Sequence, residues 1–583
     1  MRTAALRSGD YKMKHRYIRT VVVGSGCAGF NAADSLSVLG ETDIALVTED
    51  ILAGTSRNTG SDKQTYYKLS LAGDDGDSVG ELAKTLKKDD VNGDTALCEA
   101  TYSTRCFYKL VSLGVPFPVN EYGEYAGYQT DHDVRRRATS AGPLTSRFMT
   151  EALEKSVNQR NIEILNHLLA FRVETDEQGV KGLLCYDTEN KEFLVIHCAS
   201  VVLCTGGPAG LYRDCVYPVS QFGMSGMAME AGAEGANLDC WQYGLASVKF
   251  RWNLSGSYQQ VLPRYVSVDE NGIEYEFLNK ALGNQTALYY TFLKGYQWPF
   301  DPKKVDGSSK VDLLVKAETD KGRRVYLDYT HNPTGFEFES LPKEAHDYLV
   351  SCGATGTTPI ERLRAMNAPA IELYRDHGID LTKELLEIRV CAQHHNGGIA
   401  VDEHWQTCVK GLYVCGEAAG TFGHARPGGT ALNSTQVGSL RAAEHIAKEK
   451  REISDCTNIE IPKVPLGDVQ ALTSELQSEM SRSAAFIRNE SGMRKLLDRM
   501  NEILENSMEA SANDTQLVER LRLRDLCLIG REVLSAMLYG YHNGILYTRN
   551  GISRDETARP IPERDLWFER VWKKYREETG QIK

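Results

Sequence analysis

The sequence predicts an α/β protein: a Rossmann-like domain, an α+β domain inserted into it, and a helical C-terminal domain. Three observations carry that expectation. Residues 20–50 read strand–glycine turn–helix–strand. Two later apolar strands, at 199–207 and 411–417, also run into glycine. Between them, from about 243 to 389, the chain turns richer in aromatics and proline, and from 469 onward its apolar residues recur with helical spacing.

The first stretch is TVVVGSGCAGFNAADSLSVLGETDIALVTED. The β-branched run Val21, Val22, Val23 is followed at once by Gly24, Gly26 and Gly29. Gly24 permits the tight turn, Gly26 lets the backbone approach a pyrophosphate, and Gly29 lets helix and strand pack closely. The helix start, with Ala28 in its first turn, offers N–H groups to an anion. The second strand ends at Glu49 and Asp50, where an acid accepts hydrogen bonds from a ribose. GxGxxG alone is a weak signal; with strand, helix, second strand and acid in place it marks a dinucleotide site.

At 583 residues the chain exceeds one hydrophobic core, so several domains are expected. With 42% hydrophobic and 25% charged residues it reads as an ordinary soluble protein. A net charge of −12 gives no general attraction to nucleic acid or anionic lipid, and no apolar run has the length of a membrane span. The basic residues 1–17 lack the apolar core of a secretory signal and read as a flexible leader. Fourteen cysteines are scattered without a CxxC pair, so no metal or iron–sulfur site is expected, and the thiols suit a reducing, cytoplasmic setting.

Residues 53–70, AGTSRNTGSDKQTYYKLS, form a long polar loop containing Ser56 and Arg57. One helical stretch is expected over 77–113 and another over 144–158. Arg135, Arg136 and Arg137 read as solvated surface, with a wall of the ligand cleft as the alternative. Short strands at 162–165, 168–175, 180–187 and 192–196 read as a meander, followed by a helix over 223–235. Helices are further expected at 342–352, 359–377, 433–449, 480–504, 517–541 and 565–577. The boundaries implied are 17–242 and 390–455 for the nucleotide-binding domain, 243–389 for the insertion and 465–583 for the helical domain.

The glycine-ended strands Thr205-Gly206-Gly207 and Cys415-Gly416-Glu417 separate FAD from NAD, because one flavin dinucleotide threads all three strand ends. Here the chain resembles the flavoprotein superfamily of fumarate reductase, succinate dehydrogenase and L-aspartate oxidase. The matching pieces are VVVGSGCAG, SVVLCTGG, GMAMEAGAEGANLD, HNGGIAVD, GLYVCGEAAG and HARPGGTALNSTQVGSLRAAE, with SRSAAFIRNE and YTRNGISRDE in the tail. The resemblance implies an FAD-binding domain, a capping domain and a C-terminal helical domain. It also implies that Glu417 binds the ribityl chain and that Leu432, Asn433 and Ser434 present N–H groups to the flavin. The loop at 55–64 corresponds to the one through which respiratory relatives attach FAD covalently by histidine; it contains none, so non-covalent FAD is expected.

The substrate region departs from the family. Gln-Phe-His-Pro-Thr-Gly becomes QYGLAS, leaving Gly244 for the histidine, and His-Tyr-x-Met-Gly-Gly becomes QHHNGG. The capping-domain arginine has no counterpart in 287–304, where Lys294 is the guessed replacement. Arg426 keeps the position of a carboxylate-binding arginine. The catalytic candidates are therefore His394, His395 and Arg426, with Tyr243 and Arg264 weaker. The expected activity is hydride transfer between flavin and a small organic acid other than fumarate. Alternatives are an amine or amino-acid oxidase, an electron-transfer subunit with a separate iron–sulfur partner, or a flavoprotein retained for assembly; self-association is left open.

Overall fold

Residues 20–23 form the middle of a five-stranded parallel sheet, and every residue of that strand is buried. The order is Leu412–Val414, Ser200–Leu203, Thr20–Val23, Ile44–Val47, Glu163–Leu165. Strands covered on both faces need continuous apolar runs, which is why VVV, IALV and SVVL contain no polar alternation. The computed structural model describes residues 13–72, 75–87, 90–130, 133–457, 459–539 and 559–562. The helix expected at 565–577 and the tail motif YTRNGISRDE lie outside the described residues.

Glu163–Leu165 belongs to the parallel sheet, not to the meander. His167, at φ 61°, turns the chain away, and Leu165 O and Leu168 N both bond to Thr48. The meander proper is Leu168–Asp176, Gly179–Asp187 and Glu192–His197, antiparallel throughout. Lys14–Tyr17 joins its edge in parallel, so the end of the expected leader is a strand.

Between the fourth and fifth parallel strands in chain order lies a six-stranded antiparallel sheet with its own apolar core. Its strands Trp241–Ser247 and Leu386–His395 run past the expected boundaries, with one end in this sheet and the other at the cavity described below. Helices Val469–Ser483, Glu490–Glu505 and Leu517–Tyr539 build a further core with Tyr212, Trp241 and Tyr243.

Three expected helices are broken. Residues 77–113 give Val79–Leu86 and Gly93–Ser112, the second capped by Asn92. Residues 480–504 fall into two helices, and Asn489 caps the later one. Residues 223–235 yield only Gly226–Glu230, because Gly223, Met224 and Gly232 take positive φ. Arg137 is neither solvated nor part of the cavity wall: it is buried and paired with Asp77 at 2.6 Å and Asp133 at 3.2 Å.

The short helix Gly226–Glu230 has no cap of its own, and Asp525 from Leu517–Tyr539 supplies one, its Oδ1 2.9 Å from Met227 N. Burial pushes the Asp525 carboxyl up to about 7, against those N–H bonds, which act to lower it. A carboxyl raised on folding stabilises the fold most below its unfolded value near 4 and loses that contribution as pH rises through 7. Urea denaturation of wild type and Asp525→Asn at pH 5 and pH 8 therefore finds the wild type losing stability relative to the variant at the higher pH.

Candidate active site

Two helix starts point into one cavity of about 1570 Å³. Helix Cys27–Val38 begins after Gly26, and helix Thr430–Glu449 after Gly429; neither N-cap glycine has a side chain to cap with, though Ser56 Oγ takes Cys27 N at 3.3 Å. Their first-turn N–H groups have no intrahelical partner, and each end favours negative charge. The helices lie against each other, Asn31 Nδ2 bonding Gln436 O at 2.9 Å and Ser439 Oγ at 2.6 Å. The second helix starts three residues earlier than expected. Its first turn is Thr430, Ala431 and Leu432, and the latter two border the cavity. The side chain of Asn433 instead meets Tyr66 OH and Glu99 O, and that of Ser434 lies 3.4 Å from Thr421 Oγ1.

The strand ends make the floor. Gly24 sits at φ +112°, and a Cβ there would lie 2.4 Å from Cys204 O. Gly29 lies off the cavity; its Cβ would lie 1.9 Å from Gly24 O, so it sets how closely helix and strand approach. Gly26, Ala28, Ser56, Gly206, Gly416 and Glu417 border the cavity. Gly207 does not, but its missing side chain makes room for Glu417, whose Oε1 would be 2.6 Å from a Cβ. Glu417 accepts from the Tyr217 hydroxyl and from His395 N at 2.9 Å. Burial pushes its carboxyl up, and these donors hold it down. The hydroxyls of Thr55 and Thr205, both at the cavity, are buried and have no partner among the described residues.

Glu49 and Asp50 border the same cavity at the end of their strand. Arg522, from Leu517–Tyr539, pairs with Glu49 and stacks over Phe222 at 4.5 Å. Sequence reasoning missed Arg522, which is 473 positions from Glu49 and carries no local signal. Arg57 is absent from the wall; it faces helix Thr145–Gln159 and pairs with Glu154 at 2.5 Å.

The catalytic candidates divide. Arg426 borders the cavity and donates through Nη2 to Gln242 Oε1 at 2.5 Å and through Nε to Asn396 Oδ1 at 3.3 Å. Among the described residues no carboxylate pairs with it; burial lowers it to about 10, with Glu417 the largest opposing influence. Its loop is pinned by Asp90, which takes His424 N at 2.7 Å and lies 2.8 Å from His424 Nδ1. His394 borders the cavity, with Nδ1 2.9 Å from Asn396 Oδ1. Burial, reinforced by Arg426, holds it well below its usual value, so it is neutral at pH 7. His395 points elsewhere: its ring stacks on Trp241 at 4.3 Å and Nε2 meets Leu238 O at 3.0 Å.

The weaker candidates are structural. Arg264 is tied to Asp328, Glu274 and Glu276. Tyr243 OH bonds Tyr212 OH at 3.0 Å. Lys294 is wholly buried, 2.8 Å from Asp312, and donates to the carbonyls of Gln297 and Trp298, so it holds the wall segment 295–304 in place. Asn396 was missed as a site residue although it stands two positions from His394 in a motif already singled out.

Uncapped helix starts, glycine strand ends and orphaned hydroxyls fit an extended dinucleotide. Residues 19–432 match the FAD binding domain family. The chain belongs to that family. Within it, the L-aspartate oxidase of Mesorhizobium japonicum is 26% identical over 525 residues, covering 86% of this chain and 87% of that one. A fumarate reductase (CoM/CoB) chain of Methanothermobacter marburgensis is 24% identical, covering 69% of this chain and 70% of that one. Among solved structures, the E. coli quinol fumarate reductase FrdA superposes with a TM-score of 0.69 at 18% identity, covering 93% of this chain and 94% of that one. This FAD binding domain protein is an FAD-dependent oxidoreductase of the fumarate reductase and L-aspartate oxidase group. Among the described residues no helix is long and apolar enough to cross a membrane.

Gly24→Val would drive a side chain into Cys204 O at a backbone conformation valine rarely adopts. The expected outcome is a folded protein purified without yellow colour, read by the ratio of absorbance at 450 and 280 nm.

Proposed function

We propose that the protein moves a hydride between the flavin of non-covalently held FAD and a small organic acid other than fumarate. The observation that carries this reading is Arg426: a cavity-facing guanidinium bonded only to amide oxygens, with no carboxylate paired to it among the described residues. A planar donor fork of this kind suits bidentate carboxylate binding. Bound FAD supplies the two-electron acceptor or donor. Arg426 takes the carboxylate and orients the acid, Asn396 and Gln242 hold the guanidinium, and the imidazole of His394 faces the acid. Of the two adjacent imidazoles only His394 borders the cavity. Gly24, Gly26 and Glu49 would hold the pyrophosphate and ribose, Glu417 the ribityl chain, and the N–H groups of Ala431 and Leu432 the flavin edge.

A second reading, an electron-transfer subunit, is favoured by the relative that is itself described as one subunit of a fumarate reductase. With no clustered cysteines in the sequence, an iron–sulfur relay would then belong to another chain. An anaerobic screen of organic acids, following loss of flavin absorbance in the isolated protein, separates the two. Bleaching by an acid alone supports the first reading, and bleaching only through an added protein partner supports the second.

Arg426→Ala should raise the half-saturating concentration of the bleaching acid by about 10- to 100-fold, as loss of a charge-assisted hydrogen-bond pair requires. Unchanged turnover of a carboxylate by that variant would remove Arg426 from the site. Acid precipitation of the wild type should leave the flavin in the supernatant; a yellow pellet would mean a covalent link.

A further inference from the structure

Strand Leu386–His395 pairs antiparallel with Trp241–Ser247, and the register slips once. Gln242 stands opposite His394 and Tyr243 opposite Ala392, so Gln393 has no partner and forms a bulge. In a regular strand neighbours point to opposite faces. An extra residue breaks that alternation and re-aims side chains. Gln393 and His394 accordingly both border the cavity. Gly244 makes the room, since a Cβ there would lie 2.8 Å from Gln393 Nε2.

Gln393 is 6% exposed, and among the described residues neither its Nε2 nor its Oε1 has a hydrogen-bond partner. His394 Nε2 is likewise buried without one. A buried polar group left unpaired is destabilising, so a bound molecule is the partner the geometry leaves for them.

The hydrogen-bonding sense of each group follows from its neighbours. A guanidinium only donates, so the Asn396 atom facing Arg426 Nε is the amide oxygen. The same oxygen lies 2.9 Å from His394 Nδ1, which must therefore carry its proton and donate. His394 Nε2 is left as an acceptor. The wall thus offers one cation, Arg426, one acceptor, His394 Nε2, and one amide that donates and accepts, Gln393. Of the other cations bordering the cavity, Lys63 and Lys303 are solvent-exposed, Lys304 is half-buried at the end of the wall segment 295–304, and Arg522 is paired with Glu49.

We propose that the substrate carries one carboxylate, taken by Arg426, and a neutral carboxamide-like group, taken by Gln393 and His394, in place of a second carboxylate. This rests on the organic-acid reading of the site given above. A second carboxylate at that end would be desolvated against an imidazole lone pair, with the neighbouring Arg426 already engaged by the first, which burial penalises heavily. A carboxamide instead offers N–H to His394 Nε2 and meets both atoms of the Gln393 amide. A site built on such pairs rejects analogues that leave its polar groups unpaired.

The test titrates the oxidised, FAD-loaded protein with fumarate, its monoamide and its diamide, reading the flavin difference spectrum. The monoamide should bind at least about tenfold more tightly than either of the others, and Gln393→Leu should remove that preference while keeping its flavin spectrum. Fumarate binding as tightly as the monoamide overturns the proposal, as does absence of any response to all three. If the wider acid screen is also blank, the organic-acid reading falls with it; if another acid bleaches the flavin through Arg426, that reading stands and only the carboxamide assignment is lost.

Discussion

The contact on which the site depends is the approach of helix Cys27–Val38 to its own leading strand. A Cβ on Gly29 would lie 1.9 Å from Gly24 O, so only hydrogen at that position lets the helix start sit directly over the strand end. That placement turns the helix's first N–H groups toward the cavity and brings its flank against Thr430–Glu449. A second uncapped helix then delivers its own N–H groups to the same space. Two partial positive ends at one cavity repel each other weakly unless an anion lies between them, so an anionic ligand there would complete the arrangement electrostatically.

The outer half of the cavity is built by long-range devices. Asp90 pins the loop of Arg426 through His424, and the buried Lys294–Asp312 pair holds the segment 295–304 by its carbonyls. Both are buried charges spent on position, since an unpaired member would be expensive to bury. Arg522 ties the C-terminal helix to Glu49, so a region far away in sequence closes that part of the cavity.

What could be read in advance follows the range of the interactions. The nucleotide-binding stretch was legible because turn, helix start and acid are neighbours along the chain. Arg426 was legible because it lies in a motif with the helix that follows. His395 misled because neighbours on a strand face opposite ways and the motif alone does not say which imidazole meets the cavity, and Lys294 because a lysine's sequence context does not show a carboxylate waiting in the interior. The long helix over 480–504 misled because its periodicity survives the break at 484–489 that Asn489 then caps.

By itself the sequence determined the fold class, the glycine strand ends at the cavity floor and the family, since each is written in glycine placement and continuous apolar strands, which act over a few residues. Only the tertiary structure decided which imidazole faces the cavity, that Gln393 is turned toward it, and that Arg426 lacks an acidic partner among the described residues. Those outcomes depend on which backbone groups pair across strands and which charges meet from distant segments, and neither is encoded in local spacing.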